Sequence, residues 1–320
     1  MKILLFKLRY IGDVLLTTPA IKLLRKTFPE SKITIIVNKG TEDVIKYNPN
    51  INQILVVDKN NSLKNSLQII KEIRNGKFSI SIDFASGDRA AWLSLLGGVP
   101  IRVGLFSTEG FRRWINHHQV KWTPGKHTVE LYRDIAIAGI NKLNVKVQDC
   151  DMSTEMYLNT IDEANINNYL KSNSLENKKY ISVHIGCRYK ENKWHIENWI
   201  NLINYFKLPV VFIGASDVKD DVNAVMNKIS YKSVSAVDKF TILETAALIK
   251  NSVLFIGHDS GPMHIAAAFG VPVAAFFGPK SDPVGWRPWC SNYCIIPTSS
   301  TVSDAIQMIE SLSFPINEHI

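Results

Sequence analysis

Apolar and polar positions follow two rhythms along this chain. Short continuous apolar runs, of the kind made by parallel strands covered on both faces, recur at Ile3–Arg9 (ILLFKLR), Ile33–Val37, Ile54–Val57, Ser79–Asp83 and Ile101–Gly104. Between them the apolar positions take helical spacing, at Leu16, Ala20, Leu23 and Leu24, then over Leu63–Asn75 and Arg89–Leu96. Pro19 suits a first helical turn with Thr18 as its cap, and Pro29 ends that helix. Gly12 and Asp13 fall in the loop after the first strand, where open α/β sheets carry their ligands. Strands alternating with helices in this way predict a parallel α/β sheet.

The alternation breaks between Gly104 and Thr128 into a basic, aromatic loop (FSTEGFRRWINHHQVKWTPGKH), and Val129–Ala138 restores helical spacing. The polar segment Asn141–Thr154 is the expected domain boundary, giving domains at 1–150 and 151–320. The second half repeats the plan. Tyr180–Ile185, Val210–Gly214 and the weaker Ser233–Ala236 read as strands, and Ile196–Phe206 and Thr241–Lys250 as helices. Val253–Trp289 is the densest stretch: strand Val253–Gly257, the turn His258-Asp259-Ser260-Gly261-Pro262, an alanine-rich helix over Met263–Phe269, and strand Val271–Phe277. A strand, a turn of small residues and a helix N-terminus form an anion site, because the first helical N–H groups lack internal partners and the dipole is positive there. The plainer alternative is an ordinary crossover in which Ser260 caps the helix.

Composition narrows the class. At 320 residues, 46% hydrophobic and 21% charged, the chain can bury two ordinary cores. No apolar run reaches the roughly 20 residues of a membrane span, and the start resembles no signal peptide, so a cytoplasmic location is expected. Cys150, Cys187, Cys290 and Cys294 lack zinc spacing and read as free thiols. The net charge of +8 is divided unevenly: residues 1–150 hold 23 Lys and Arg against 12 Asp and Glu, and residues 151–320 hold 14 against 17. The first half is therefore expected to meet something anionic, an acidic ligand or a membrane surface. One basic loop without a known nucleic-acid module is weak support for nucleic acid, which is not expected as a partner.

No GxGxxG follows the first strand and no GxxxxGK[ST] occurs, so the usual dinucleotide and P-loop signatures are absent. The motifs that do stand out are KLRYIGDVLLTTPAIKLLRKTFP near the start and FIGHDSGPMHIAAAFGVPVAAFFGPKSDPVGWRPW near the end, with HTVELYRD (127–134) and HIGCRYKENKW (184–194) as supports. On these the chain resembles glycosyltransferase family 9, the bacterial lipopolysaccharide heptosyltransferases, and within it the core heptosyltransferase III type. The resemblance implies an α/β GT-B fold, two Rossmann-like domains with parallel sheets facing a central cleft, the acceptor held by the first domain and the donor nucleotide by the second. It also implies transfer with inversion from an ADP-heptose to a lipopolysaccharide core acceptor.

Matched residue by residue, Asp13 stands where the family places its proposed catalytic base, and Lys193 where a lysine reaches the donor phosphates. Asp259, Ser260, Gly261 and His264 match the family's D-[ST]-G-x-x-H and are expected at the donor diphosphate. Gly186 and Cys187 replace two threonines of some members, so phosphate contacts there would come from the backbone. The acid for the ribose lies among Asp217, Asp220 and Asp221, with Asp217 chosen, and Phe240 stands where an adenine-pocket residue is expected. Lys7, Arg9, Gly12, Arg89, Arg112, Arg113 and His127 are the acceptor candidates. His258, Asp259 and His264 could suggest a metal, but neighbours on one turn seldom converge, so neither metal nor cofactor is expected beyond the ADP-sugar co-substrate. The expected partners are a nucleotide-sugar donor, an anionic glycolipid acceptor and the inner-membrane surface. The alternatives are a UDP-sugar transferase or epimerase, and a non-catalytic nucleotide- or carbohydrate-binding protein on the same fold.

Overall fold

The structure is a computed structural model that describes residues 1–58, 63–85, 87–108 and 111–314. The chain divides into two compact units, Met1–Tyr157 and Leu158–Ile320.

Unit 1 is a six-stranded sheet, every pair parallel, built from β1 (Lys2–Lys7), β2 (Lys32–Asn38), β3 (Gln53–Val57), β4 (Ile80–Asp83), β5 (Ile101–Leu105) and β6 (His118–Val120) in the order β3-β2-β1-β4-β5-β6. Its helices are α1 (Ile11–Leu15), α2 (Thr18–Thr27), α3 (Leu63–Gly76), α4 (Asp88–Leu96), α5 (Arg112–Ile115) and α6 (Thr128–Lys142). The central strand β1 is buried from Ile3 to Lys7, which is why its sequence is a continuous apolar run. Ile69 and Ile73, one turn apart on α3, join Leu4, Phe6, Ile36 and Leu93 in one core cluster.

Unit 2 opens on α7 (Thr160–Ser172) and contains β7 (Ile181–His184), β8 (Val210–Phe212), β9 (Ser233–Ser235), β10 (Leu254–His258), β11 (Val273–Phe277) and β12 (Tyr293–Pro297). These are again all parallel, in the order β12-β11-β10-β7-β8-β9. Its other helices are α8 (Ile196–Phe206), α9 (Lys219–Met226), α10 (Ile242–Lys250), α11 (Gly261–Ala268) and α12 (Val302–Glu310). Trp194, Trp199 and Phe276 lie at the centre of its core, with ring centroids 4.4–5.3 Å apart.

Each sheet runs outward from its first strand and then reverses, so each has one switch point: β1 beside β4 in unit 1, β7 beside β10 in unit 2. Ligands of open parallel sheets bind at the carboxyl ends of the strands flanking that point, and several of the polar residues singled out by sequence, Asp13 and Ser260 among them, follow those strand ends.

Three local features differ from expectation. Gly12 and Asp13 lie within α1 rather than in a loop. The N-cap of α2 is Thr17, and the Thr18 hydroxyl instead donates to Leu15 O and accepts from the Glu155 N–H at 3.0 Å. That last bond belongs to a strap: Gln148 N–H donates to Thr27 Oγ1, Lys26 donates to Asp149 O, and Lys22 pairs with both Asp151 and Glu155. The polar segment past 141 is thereby tied back onto α2, and the unit ends at Tyr157 rather than at 150. No helix among the described residues is long and apolar enough to cross a membrane.

Candidate active site

At the unit 1 switch point the chain leaves β1 at Lys7 and turns into α1, which presents Asp13 in its first turn. The Lys7 ammonium, almost fully buried, lies 3.0 Å from Asp13 Oδ1, donates to Phe84 O at 3.0 Å and donates to the Tyr132 hydroxyl. An ammonium has three donors, so these partners account for all of them. Burial lowers the Lys7 pKa, and the neighbouring carboxylates of Asp13 and then Asp83 oppose that shift. Tyr132 is buried on α6, and burial together with the Asp13 charge pushes its phenol well above the ordinary range, so it stays a neutral hydroxyl. Asp13 keeps 15% of its side chain exposed, with Oδ1 held by the buried ammonium.

Beside it, a recess of about 280 Å³ is lined by Arg9, Asn38 and Arg89 with Leu8, Ala85, Gly87 and Ala90. Arg89 Nη1 donates to Asp58 O at 2.9 Å, while its Nε and Nη2 are buried without a hydrogen-bond partner. Buried guanidinium donors left unpaired are costly, and an anion in the recess would relieve that cost.

The other acceptor candidates are placed differently. Lys7 directs its donors inward, to Asp13 and the strand end, instead of toward an acceptor. Gly12 is buried within α1. His127 is fully buried and caps α6, its Nδ1 accepting from Val129 N–H while Glu130 accepts from its own N–H. Arg113 stacks on Trp114 at 4.4 Å and donates to Thr108 O, on α5 near the β6 edge of the sheet. Arg112 stands on the same short helix, and its side chain lies outside what is described.

The unit 2 switch point gathers more of the sequence candidates. Ser260 is the N-cap of α11, yet its side chain makes no capping bond. Its hydroxyl donates to His258 O at 2.9 Å and sits 3.1 Å from His184 Nδ1. The first turn of α11, from Gly261 to His264, therefore has no serine side-chain cap over its N–H groups, which goes against the capping alternative.

His184, at the end of β7, is held near pH 4 by burial, against the opposing charge of Asp217. Gly186 explains the absence of a threonine there: a Cβ would lie 2.6 Å from Val218 Cγ1 and 3.1 Å from the His184 ring. Cys187 follows half-buried, its thiol donating to Tyr189 O and pushed up by burial.

Lys193 pairs with Asp221 Oδ2 at 2.6 Å, and this bond raises its pKa. Asp221 is thus the acid bonded to Lys193, while Asp217, the candidate for the ribose, lies in the fields of His184 and Lys193. Asn192 locks the same loop to the segment after β11, accepting from Lys280 N–H and donating to Ser281 Oγ.

His258 is a core residue. It accepts from Trp194 N–H at 3.1 Å, packs edge-on against Trp199, and is held near pH 4 by burial. Asp259 N–H donates to Phe276 O, and the buried His264 ring lies 6.4 Å from Trp286. Phe240 is half-buried, edge-on to Tyr169 at 4.8 Å. No group of three metal-ligating side chains occurs among the described residues.

Sequence reasoning missed Tyr132, His184 and Asn192 as site residues. Tyr132 sits in HTVELYRD, and His184 and Asn192 in HIGCRYKENKW, so their motifs were in view while their partners, far away in the chain, were not.

Comparison with known proteins identifies the family and the fold. The profile of glycosyltransferase family 9 (heptosyltransferase) matches residues 66–309. Lipopolysaccharide heptosyltransferase 3 of Escherichia coli (strain K12) is 27% identical over 301 residues, 89% of this chain and 84% of that protein. A glycosyl transferase family 9 structure from Veillonella parvula DSM 2008 superposes with a TM-score of 0.88 at 24% identity, covering 97% of this chain and 96% of that one. The E. coli heptosyltransferase WaaC with ADP-2-deoxy-2-fluoro heptose superposes at 0.76 with 17% identity, covering 97% and 99%. The two Rossmann-like sheets are those of the GT-B fold, and the chain belongs to glycosyltransferase family 9, the heptosyltransferases.

Proposed function

We propose that the protein transfers a heptose from an ADP-heptose donor to a hydroxyl of an anionic lipopolysaccharide core acceptor, with inversion at the anomeric carbon. Support comes from the family, from the relative named for lipopolysaccharide heptose transfer, and from the structural neighbour bound to an ADP-heptose analogue. The observation that carries the mechanism is the Asp13 carboxylate, partly exposed and fixed through one oxygen by buried Lys7.

In this reading Asp13 removes the proton of the acceptor hydroxyl as that oxygen attacks the anomeric carbon. The new C–O bond forms as the bond to the diphosphate breaks, and ADP leaves with the electron pair. General-base assistance of this kind contributes about 10²- to 10⁴-fold. Donor binding falls to unit 2: the first turn of α11 and Ser260 at the diphosphate, with backbone groups at Gly186 and Cys187 and His264 nearby. Lys193 balances the charge of the leaving group once Asp221 yields it. Asp217 or Asp221 meets the ribose, Phe240 packs against the adenine, and Asp259 orients sugar hydroxyls. Arg9 and Arg89 hold an acidic group of the acceptor, in the unit that carries the positive charge. No protein-bound metal or cofactor takes part, and the enzyme works on the cytoplasmic face of the inner membrane.

The test is a mass shift on a lipid A–core acceptor given ADP-heptose, beside ADP- and UDP-sugar thermal-shift controls. One added heptose and stabilisation by ADP are expected. Stabilisation by UDP alone, with no mass gain from ADP-heptose, would sink the proposal.

A further inference from the structure

Among the described residues, every Phe or Trp that is at least about a third exposed lies between positions 92 and 122 of unit 1: Trp92, Phe106, Phe111, Trp114 and Trp122, with Trp114 73% and Phe111 61% exposed. Trp92, Phe106, Phe111 and Trp114 share one region of the surface, and Trp122 directly follows Lys121, which lies over Phe106. Trp92 on α4 touches Phe111 at 5.5 Å between ring centroids, and Phe106 and Trp114 line one shallow recess of about 500 Å³. Leu95 and Leu96, one turn beyond Trp92, extend the apolar stripe along α4. Cations are interleaved with the rings: Lys121 lies 5.3 Å from the Phe106 centroid and Arg113 stacks on Trp114. From Ile101 to Lys126 the chain holds five Lys and Arg against one Glu.

Water-facing rings of this size are unfavourable unless something covers them, and a contiguous apolar patch marks an interaction site. The combination here selects the occupant. Trp rings settle at the headgroup level of a bilayer, while Lys and Arg beside them meet anionic headgroups. We infer that this face, made by α4, α5 and the β6 edge of unit 1, docks the protein onto an anionic lipid bilayer, with Phe111, Trp114 and Trp122 entering the headgroup layer and Lys121 paired with lipid phosphate. The inference deepens the proposed reaction by assigning a surface that meets the bilayer holding a lipid-anchored acceptor, but bilayer binding is read without any sugar.

The test uses the full chain with vesicles of phosphatidylcholine alone and with about one third phosphatidylglycerol, read by co-sedimentation and by tryptophan emission. The protein is expected to sediment with the anionic vesicles at low salt, with a blue shift, and to be released as salt rises. Phe111→Ser with Trp114→Ser is expected to lower vesicle affinity at least tenfold, and Lys121→Glu to lower it severalfold. Both variants should keep the parent melting temperature and its transfer rate on a delipidated, water-soluble acceptor. No binding to anionic vesicles, equal binding to neutral ones, or unchanged binding by both variants would overturn the docking surface. So would loss of transfer to the soluble acceptor in the folded double variant, which would place these rings in the acceptor site. If docking fails while soluble transfer persists, the proposed function stands alone; if vesicles bind and no sugar donor is used, the reverse holds.

Discussion

The Lys7 ammonium lies 3.0 Å from Oδ1 of Asp13, with its remaining donors on Phe84 O and the Tyr132 hydroxyl. Three inward contacts make it a support for the carboxylate instead of a ligand for substrate. The positive charge meets the carboxylate directly and fixes its position at the start of α1. Lys7→Met removes that charge while keeping the volume. Turnover should then fall, because the carboxylate is no longer held in one geometry by its buried partner. The melting temperature should also fall, by an amount corresponding to about 3 kcal/mol or more, since a buried pair is broken on one side. An unchanged turnover would remove Lys7 from the support of Asp13.

Asp13→Asn keeps the shape of the first turn of α1 but cannot accept a proton. Turnover should fall by about 10²- to 10⁴-fold, while ADP affinity measured by calorimetry stays within about twofold, because the proposed nucleotide contacts lie in the other unit. An Asn variant retaining most of its turnover would end the role of Asp13 as base.

Ser260 and Thr241 occupy the same N-cap position on α11 and α10, but only Thr241 caps, through a reciprocal capping box with Glu244. Thr241→Ala should therefore cost about 1 kcal/mol of stability and leave ADP binding alone. Ser260→Ala should lower stability by about 1–3 kcal/mol, since His258 O and His184 Nδ1 lose their partner, and should also weaken ADP about 10- to 100-fold, the scale of one hydrogen bond to a charged group. A pair of calorimetric titrations and melts decides it, and a Ser260→Ala variant that binds ADP as well as the parent contradicts the diphosphate assignment.

The parallel α/β plan was legible because buried strands such as Ile3–Lys7 and Leu254–His258 are continuous apolar runs separated by helical spacing. Shorter or edge elements were not. The strand His118–Val120 has three residues and no alternation, and Tyr293–Pro297 follows a loop rich in proline and tryptophan that gave no strand cue. Local chemistry was also misassigned where a partner far off in sequence decides it. Thr18 looked like a cap until Glu155 claimed its hydroxyl, and Lys7 looked like an acceptor ligand until Tyr132, from α6, came to lie against it. The Lys193–Asp221 pair was not legible in the sequence either, because it depends on the 3-10 turn at Ser216–Val218 leading into α9, which sets that carboxylate against Lys193.

His258 and His184 together predict how stability depends on pH. Burial holds each near pH 4 in the folded chain, against 6.5 for the free imidazole. Between those values the unfolded chain binds protons that the folded chain refuses, so stability is full above about pH 6.5 and declines as pH falls toward 4. For His258 the linked loss is of order 3 kcal/mol. His258 also accepts the Trp194 N–H at 3.1 Å. His258→Leu should consequently lower stability near pH 8 by about 1–3 kcal/mol, the cost of leaving that donor buried and unpaired. The same variant should show a shallower decline between pH 6.5 and 4, with the His184 share remaining. Urea unfolding followed by tryptophan fluorescence across that range measures both effects, since Trp194 and Trp199 lie against the ring. A variant whose decline is as steep as the parent's would show that His258 is not one of the groups that titrate on unfolding.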